Sequence, residues 1–93
     1  MTKKEQLYYM LKAFKLGEYD IATFCDAFED VFYPDRPKDE LTLQEWEWFN
    51  RLGDIVVRYS PYLKDTKLYP KAYYTDEEVK KAIEKAYSEL IKE

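Results

Sequence analysis

The chain has 93 residues, 46% hydrophobic and 18% aromatic, with a net charge of −4, no histidine and one cysteine. That length makes one domain able to bury about 60–65% of its unfolded surface, so one modest core is the limit and a walled cleft is hard to build. The aromatic content excludes a disordered acidic tail, lone Cys25 excludes an internal disulfide, and no run reaches the roughly 20 apolar residues of a membrane span.

The first predicted helix runs from Lys3 to Leu16. Thr2-Lys3-Lys4-Glu5 opens it as a capping box, and Gly17 closes it where a left-handed backbone is favoured. Leu7, Met10, Leu11 and Phe14 share one face. The second helix has Asp20 as N-cap and an apolar stripe of Ile21, Phe24, Cys25, Phe28, Val31 and Phe32, with Asp26, Glu29 and Asp30 on the opposite side. It ends at Tyr33-Pro34, because the residue before proline avoids the helical region. A polar loop, Pro34 to Glu40, leads to a second capping box, Thr42-Leu43-Gln44-Glu45, with Leu41 and Trp46 spaced as a hydrophobic staple. The third helix extends to about Tyr59 with Phe49, Leu52, Ile55, Val56 and Tyr59 inward, Trp48 on the flank, and Glu47, Arg51, Asp54 and Arg58 opposite. Gly53 in its interior marks close packing. Residues 60–74 are an irregular connection that packs down over the bundle. Thr75-Asp76-Glu77-Glu78 is the third capping box, opening a fourth helix with Val79, Ala82, Ile83, Ala86, Tyr87 and Leu90 on a narrow stripe. The expected fold is all-α, a single-domain four-helix bundle with a long ordered loop between helices 3 and 4.

Charge is unevenly spread along these elements. Residues 17–54 hold eleven carboxylates and three basic side chains, a local charge of −8 flanked by +3 and +1. Such a concentration costs self-repulsion, which implies a compensating use, and it steers basic partners toward the surface while repelling phosphate. Ten tyrosines exceed what so small a core needs, so some lie at the surface, where Tyr gives contact area at low entropic cost. The residues nominated for partner binding are Asp26, Glu29 and Asp30 on the second helix, Asp35, Asp39 and Glu40 on the loop, and Trp46, Glu47 and Asp54 on the third. For Trp46, staple and interface anchor both stand as readings.

Catalytic equipment is sparse. Without histidine the commonest general base and metal ligand is missing. Cys25 sits between Phe24 and Phe28 on an apolar stripe, which makes it a core residue without a partner base. Neither Gly17 nor Gly53 belongs to a phosphate-binding loop. The carboxylate sets Asp26/Glu29/Asp30 and Glu45/Glu47 point to water, where no apolar wall raises their pKa for acid–base work. No enzyme activity, cofactor or metal is expected. Met1-Thr2-Lys3-Lys4 is followed by no apolar leader core, and the cytoplasm is the simplest location.

Two blocks carry a family resemblance. Leu11-Lys12-Ala13-Phe14-Lys15-Leu16-Gly17-Glu18-Tyr19-Asp20-Ile21-Ala22-Thr23-Phe24 and Arg58-Tyr59-Ser60-Pro61-Tyr62, followed by Tyr74-Thr75-Asp76-Glu77-Glu78-Val79, are similar to the corresponding parts of colicin D-type immunity proteins, the bacterial self-protective colicin-like immunity family. Both blocks are packing and capping patterns rather than chemical signatures. The resemblance implies a cytoplasmic helical antitoxin, a monomer or weak homodimer. It would bind the basic nuclease domain of a bacteriocin or contact-dependent toxin, probing no nucleic acid and no membrane itself. Its carboxylates would stand in for RNA phosphates.

Two other readings compete. A helical adaptor would dock a partner helix or homodimerise through Trp46 and neighbouring tyrosines. An immunity protein of the pediocin-like class would act at the inner membrane face, but an acidic face is repelled by anionic lipid.

Overall fold

A computed structural model describes residues 2–34, 38–59, 67–68 and 73–91. The fold is all-α: helices α1 (Lys3–Lys15), α2 (Ile21–Phe32), α3 (Leu43–Val56) and α4 (Asp76–Leu90) make one four-helix domain, with a short 3-10 turn at Lys38–Glu40 ahead of α3. Most of the expected connection at 60–74 lies outside the described residues.

Each helix begins where a side chain can take the place of a missing backbone partner. The Thr2, Thr42 and Thr75 hydroxyls accept the N–H of Glu5, Glu45 and Glu78, whose carboxylates accept the threonine N–H in return. Asp20 caps α2 by accepting from the Thr23 N–H at 2.7 Å. Four N-terminal ends are thereby satisfied by local chemistry, each worth about 1 kcal/mol. At the far end of α1 the Glu18 N–H donates to Ala13 O and the Gly17 N–H to Phe14 O. This reversal requires a positive φ, and Gly17 adopts +83°.

Each helix packs against the next in the order α1, α2, α3, α4, and α4 returns against α1. The direction of α3 against α2 follows from its ring contacts: Phe28 meets Phe49 at 6.3 Å, and the later Phe32 meets the earlier Trp46 at 5.8 Å. Phe24, Phe28, Phe32 and Phe49 are wholly buried at the centre, with Leu7, Leu11, Leu52, Val56, Val79 and Ile83 around them. Gly53 is required at the α2–α3 seam. A Cβ there would stand 2.6 Å from the Tyr33 hydroxyl and 3.4 Å from a Phe28 ring carbon.

Two boundaries differ from expectation. Helix α3 stops at Val56, not near Tyr59, because the Arg58 and Tyr59 N–H groups tighten onto Ile55 O and Val56 O. Arg58 O then accepts the Tyr74 N–H at 2.8 Å, an isolated bridge between Tyr59 and Tyr74 that ties the start of α4 to the end of α3. Helix α1 ends one residue early, with Leu16 as its cap.

Candidate functional site

Helix α2 buries Phe24, Cys25, Phe28 and Phe32 and leaves Asp26 and Asp30 exposed, with Glu29 half-buried between them and the seam with α3. The three acids form one electrostatic group. Partial burial pushes the Glu29 carboxyl up, and the charges of Asp26 and Asp30 push it further. None of the three has a lysine or arginine nitrogen within 4.0 Å among the described residues. Their placement also opposes the helix dipole. Glu29 and Asp30 occupy the last turn of α2, where the partial charge is already negative, and that turn holds no basic residue. Helix α1 shows the usual arrangement, with Glu5 in its first turn and Lys12 and Lys15 in its last.

The other nominated residues fall into three settings. Asp39 and Glu40 are exposed in the 3-10 turn before α3, and Asp35 lies outside the described residues. Glu47 and Asp54 are exposed two turns apart on the outer strip of α3, Asp54 on the solvent side of Gly53. That strip also carries exposed Arg51 and Arg58, so its four charges cancel, whereas the three acids of α2 share their helix with no basic residue. Trp46 is half-buried against Phe32, with Lys38 Nζ 5.9 Å above its ring. Arg51 lies over Trp48 at 5.4 Å.

Glu45 corrects the expectation that its carboxylate points to water. Only 7% of the residue is exposed. It accepts a short hydrogen bond from the Tyr8 hydroxyl and one from the Thr42 N–H at 2.8 Å, while Lys4 Nζ stands 3.3 Å away. Burial pushes this carboxyl up, but the Thr42 N–H, the Tyr8 hydroxyl and the Lys4 ammonium outweigh it and hold it below the ordinary value. Burial pushes the Tyr8 phenol well up, and the hydrogen bond to Glu45 and its charge push it further. No local sequence signal announces this network, because Tyr8 comes from another helix 37 residues earlier.

The acids that act on α2 from outside it come from the start of α4. Burial pushes the Cys25 thiol up to about 12, helped by the charges of Glu29, Asp26 and Asp76. The Tyr59 phenol is pushed up by burial, by a hydrogen bond to Asp76 and by its charge, and less by Cys25 and Asp20. Asp20 and Asp76 thus stand at the same end of the bundle as the head of α2. Asp20 also caps α2, as the sequence predicts, and Asp76 stands in the first turn of α4 just after its Thr75 cap.

Chemically the face offers carboxylates with no cationic partner among the described residues. Cys25 is buried with its thiol protonated, and among the described residues no three acids or thiols gather closely enough to hold a metal ion. No helix among the described residues is long and apolar enough to cross a membrane. Compared with protein-family models, with curated proteins and with solved structures, the chain has no match.

Proposed function

We propose that this protein is an immunity protein that binds a basic, nuclease-like toxin domain through the acidic side of α2. The carrying observation is the Asp26/Glu29/Asp30 group, which has no cationic partner among the described residues and whose Glu29 and Asp30 stand at the wrong end of the helix for stability. Acids placed to serve the fold stand at helix N-termini, as Glu5, Asp20, Glu45 and Glu78 do. Acids placed against it serve something outside it, and a cationic surface is the complementary chemistry. The likeness to colicin D-type immunity proteins in the α1–α2 and α3–α4 segments supports the same reading.

Inhibition proceeds by occlusion. The α2 carboxylates pair with the lysines and arginines that a nuclease uses to grip RNA phosphates, steering association and then blocking the substrate path. Asp39, Glu40, Glu47 and Asp54 extend the rim of the contact, and Trp46 lies at its edge. The cytoplasm, where such a toxin would act on RNA, is the location this function requires.

The test is co-expression with the toxin domain encoded beside this chain's gene. Wild-type protein rescues growth, and Glu29→Lys with Asp30→Lys slows association and flattens its salt dependence. Unchanged association kinetics in that variant remove α2 from the interface, and failure of the wild type to rescue ends the immunity reading.

A further inference from the structure

The grooves between the helices differ in the charge of their walls. Lys15, Lys80 and Glu84 line the groove between α1 and α4, and Arg51 and Lys85 the one between α3 and α4. The groove between α1 and α2, about 380 Å³ in volume, has Asp30 as its one charged residue among the described ones. The rest of its lining is Met10, Ala27 and Val31, the rings of Tyr9 and Tyr19, and the amide side chain of Gln6. The two tyrosines meet edge to face, with centroids 6.4 Å apart, and Tyr9 is 49% exposed. A groove that combines apolar side chains, two aromatic rings and a carboxylate with no cationic partner among the described residues matches a side chain with a long alkyl stem and a planar cation.

We infer that this groove is a socket for an arginine side chain of a basic protein partner. The stem lies on Met10, Ala27 and Val31, and the guanidinium stands against the Tyr9 and Tyr19 rings and pairs with Asp30. Arginine fits better than lysine because its planar, weakly hydrated head stacks on aromatic faces and presents two parallel N–H groups to a carboxylate. The assignment rests on the proposed function and adds a specific anchor to what is otherwise long-range attraction. Asp30 belongs to both, joining the α2 acids to the groove.

The test uses the intact chain and two blocked amino acids, N-acetyl-arginine N-methylamide and its neutral near-isostere N-acetyl-citrulline N-methylamide, titrated while backbone amide shifts are followed. The arginine compound is expected to shift the amides of Tyr9, Tyr19, Asp30 and Val31 saturably and to bind about two- to fivefold more tightly than citrulline, the size of an exposed ion pair. Asp30→Asn should erase that difference, and Tyr9→Ala should weaken both compounds. Equal binding of the two compounds, a difference that survives Asp30→Asn, or shifts spread over the acids without the tyrosines would overturn the socket. Toxin rescue is scored separately. Rescue without the arginine preference removes the socket and leaves the immunity reading, while the preference without rescue does the reverse.

Discussion

Replacing Tyr8 with phenylalanine tests the structure at its most connected polar contact. The substitution removes one hydroxyl and leaves the ring, which meets Phe49 edge to face at 5.9 Å. Glu45 then loses one of its partners in a site where 7% of the residue is exposed. Depriving a buried charged acceptor of a donor costs about 1–3 kcal/mol, so about 2 kcal/mol is expected, roughly 8–16 °C in Tm for a domain of this size. Urea titration should show a lower midpoint with an unchanged slope. The loss must also depend on pH. The Glu45 carboxyl is held below its ordinary value of 4.5 in the fold, so its stabilisation is complete above the unfolded value and is lost as pH falls through the folded one. The difference between wild type and Tyr8→Phe is therefore constant above about pH 5 and shrinks below the unfolded carboxyl value. Lys4→Met gives the contrast: its side chain is 42% exposed, so it contributes at most about 1 kcal/mol and less in high salt. A Tyr8→Phe loss under about 0.5 kcal/mol, or one that is the same at pH 3 and pH 7, refutes the network.

Glu29→Gln should stabilise the protein at neutral pH. Its carboxyl is raised in the fold, so the penalty is absent below the unfolded value and grows as pH rises through the folded one; the gain is about 0.2–0.5 kcal/mol at pH 7 and none at pH 3, read by urea titration at both. Gly17→Ala should cost about 1–2 kcal/mol, from the backbone alone, since nothing lies within 4 Å of a methyl built there; a thermal melt indistinguishable from wild type would contradict the left-handed turn. Cys25 should resist a thiol-specific reagent at pH 8 in the folded protein and react fully in urea, because its thiol is pushed up to about 12; rapid native labelling would place it outside the core.

Local chemistry was fully legible in the sequence. Threonine or aspartate three residues ahead of a partner names each helix start, and the 3.6-residue spacing of Phe24, Phe28 and Phe32 names the buried side, because both signals are carried within one turn or two. Gly53 was readable as a close approach, although not what approached it, since Tyr33 reaches it from another helix. Glu45 was misread because its cap role is local and its burial is not: the Tyr8 hydroxyl that pulls it inward is a long-range contact. The end of α3 was overrun because the stripe continues to Tyr59 while the backbone turns away to meet Tyr74. The concentration of acid was visible as a sum over 17–54, and helical spacing already divided it, with Asp26, Glu29 and Asp30 on α2 and Glu47 and Asp54 sharing a strip of α3 with Arg51 and Arg58. What spacing could not show is how far Glu29 is covered, which depends on the helices packed around α2.

The helix dipole separates acids that the fold explains from those it does not. Glu5, Glu45, Asp76, Glu77 and Glu78 stand in first turns, and Asp20 caps α2, where negative charge stabilises. Asp76 therefore belongs to the frame even though its charge reaches Cys25. Glu29 and Asp30 stand in a last turn, near Asp26, and they repel one another and the helix end together. A lysine at exposed Asp30 would relieve both costs without disturbing the core. The nominated surface thus narrows to this group, with the α3 acids as a balanced rim. A cationic partner relieves the same repulsion that Glu29→Gln removes, so binding and fold stability are linked. At saturating partner the wild type should gain more stability than Glu29→Gln, although it starts from less. The reverse order would mean that the partner's cations contact some other part of the molecule.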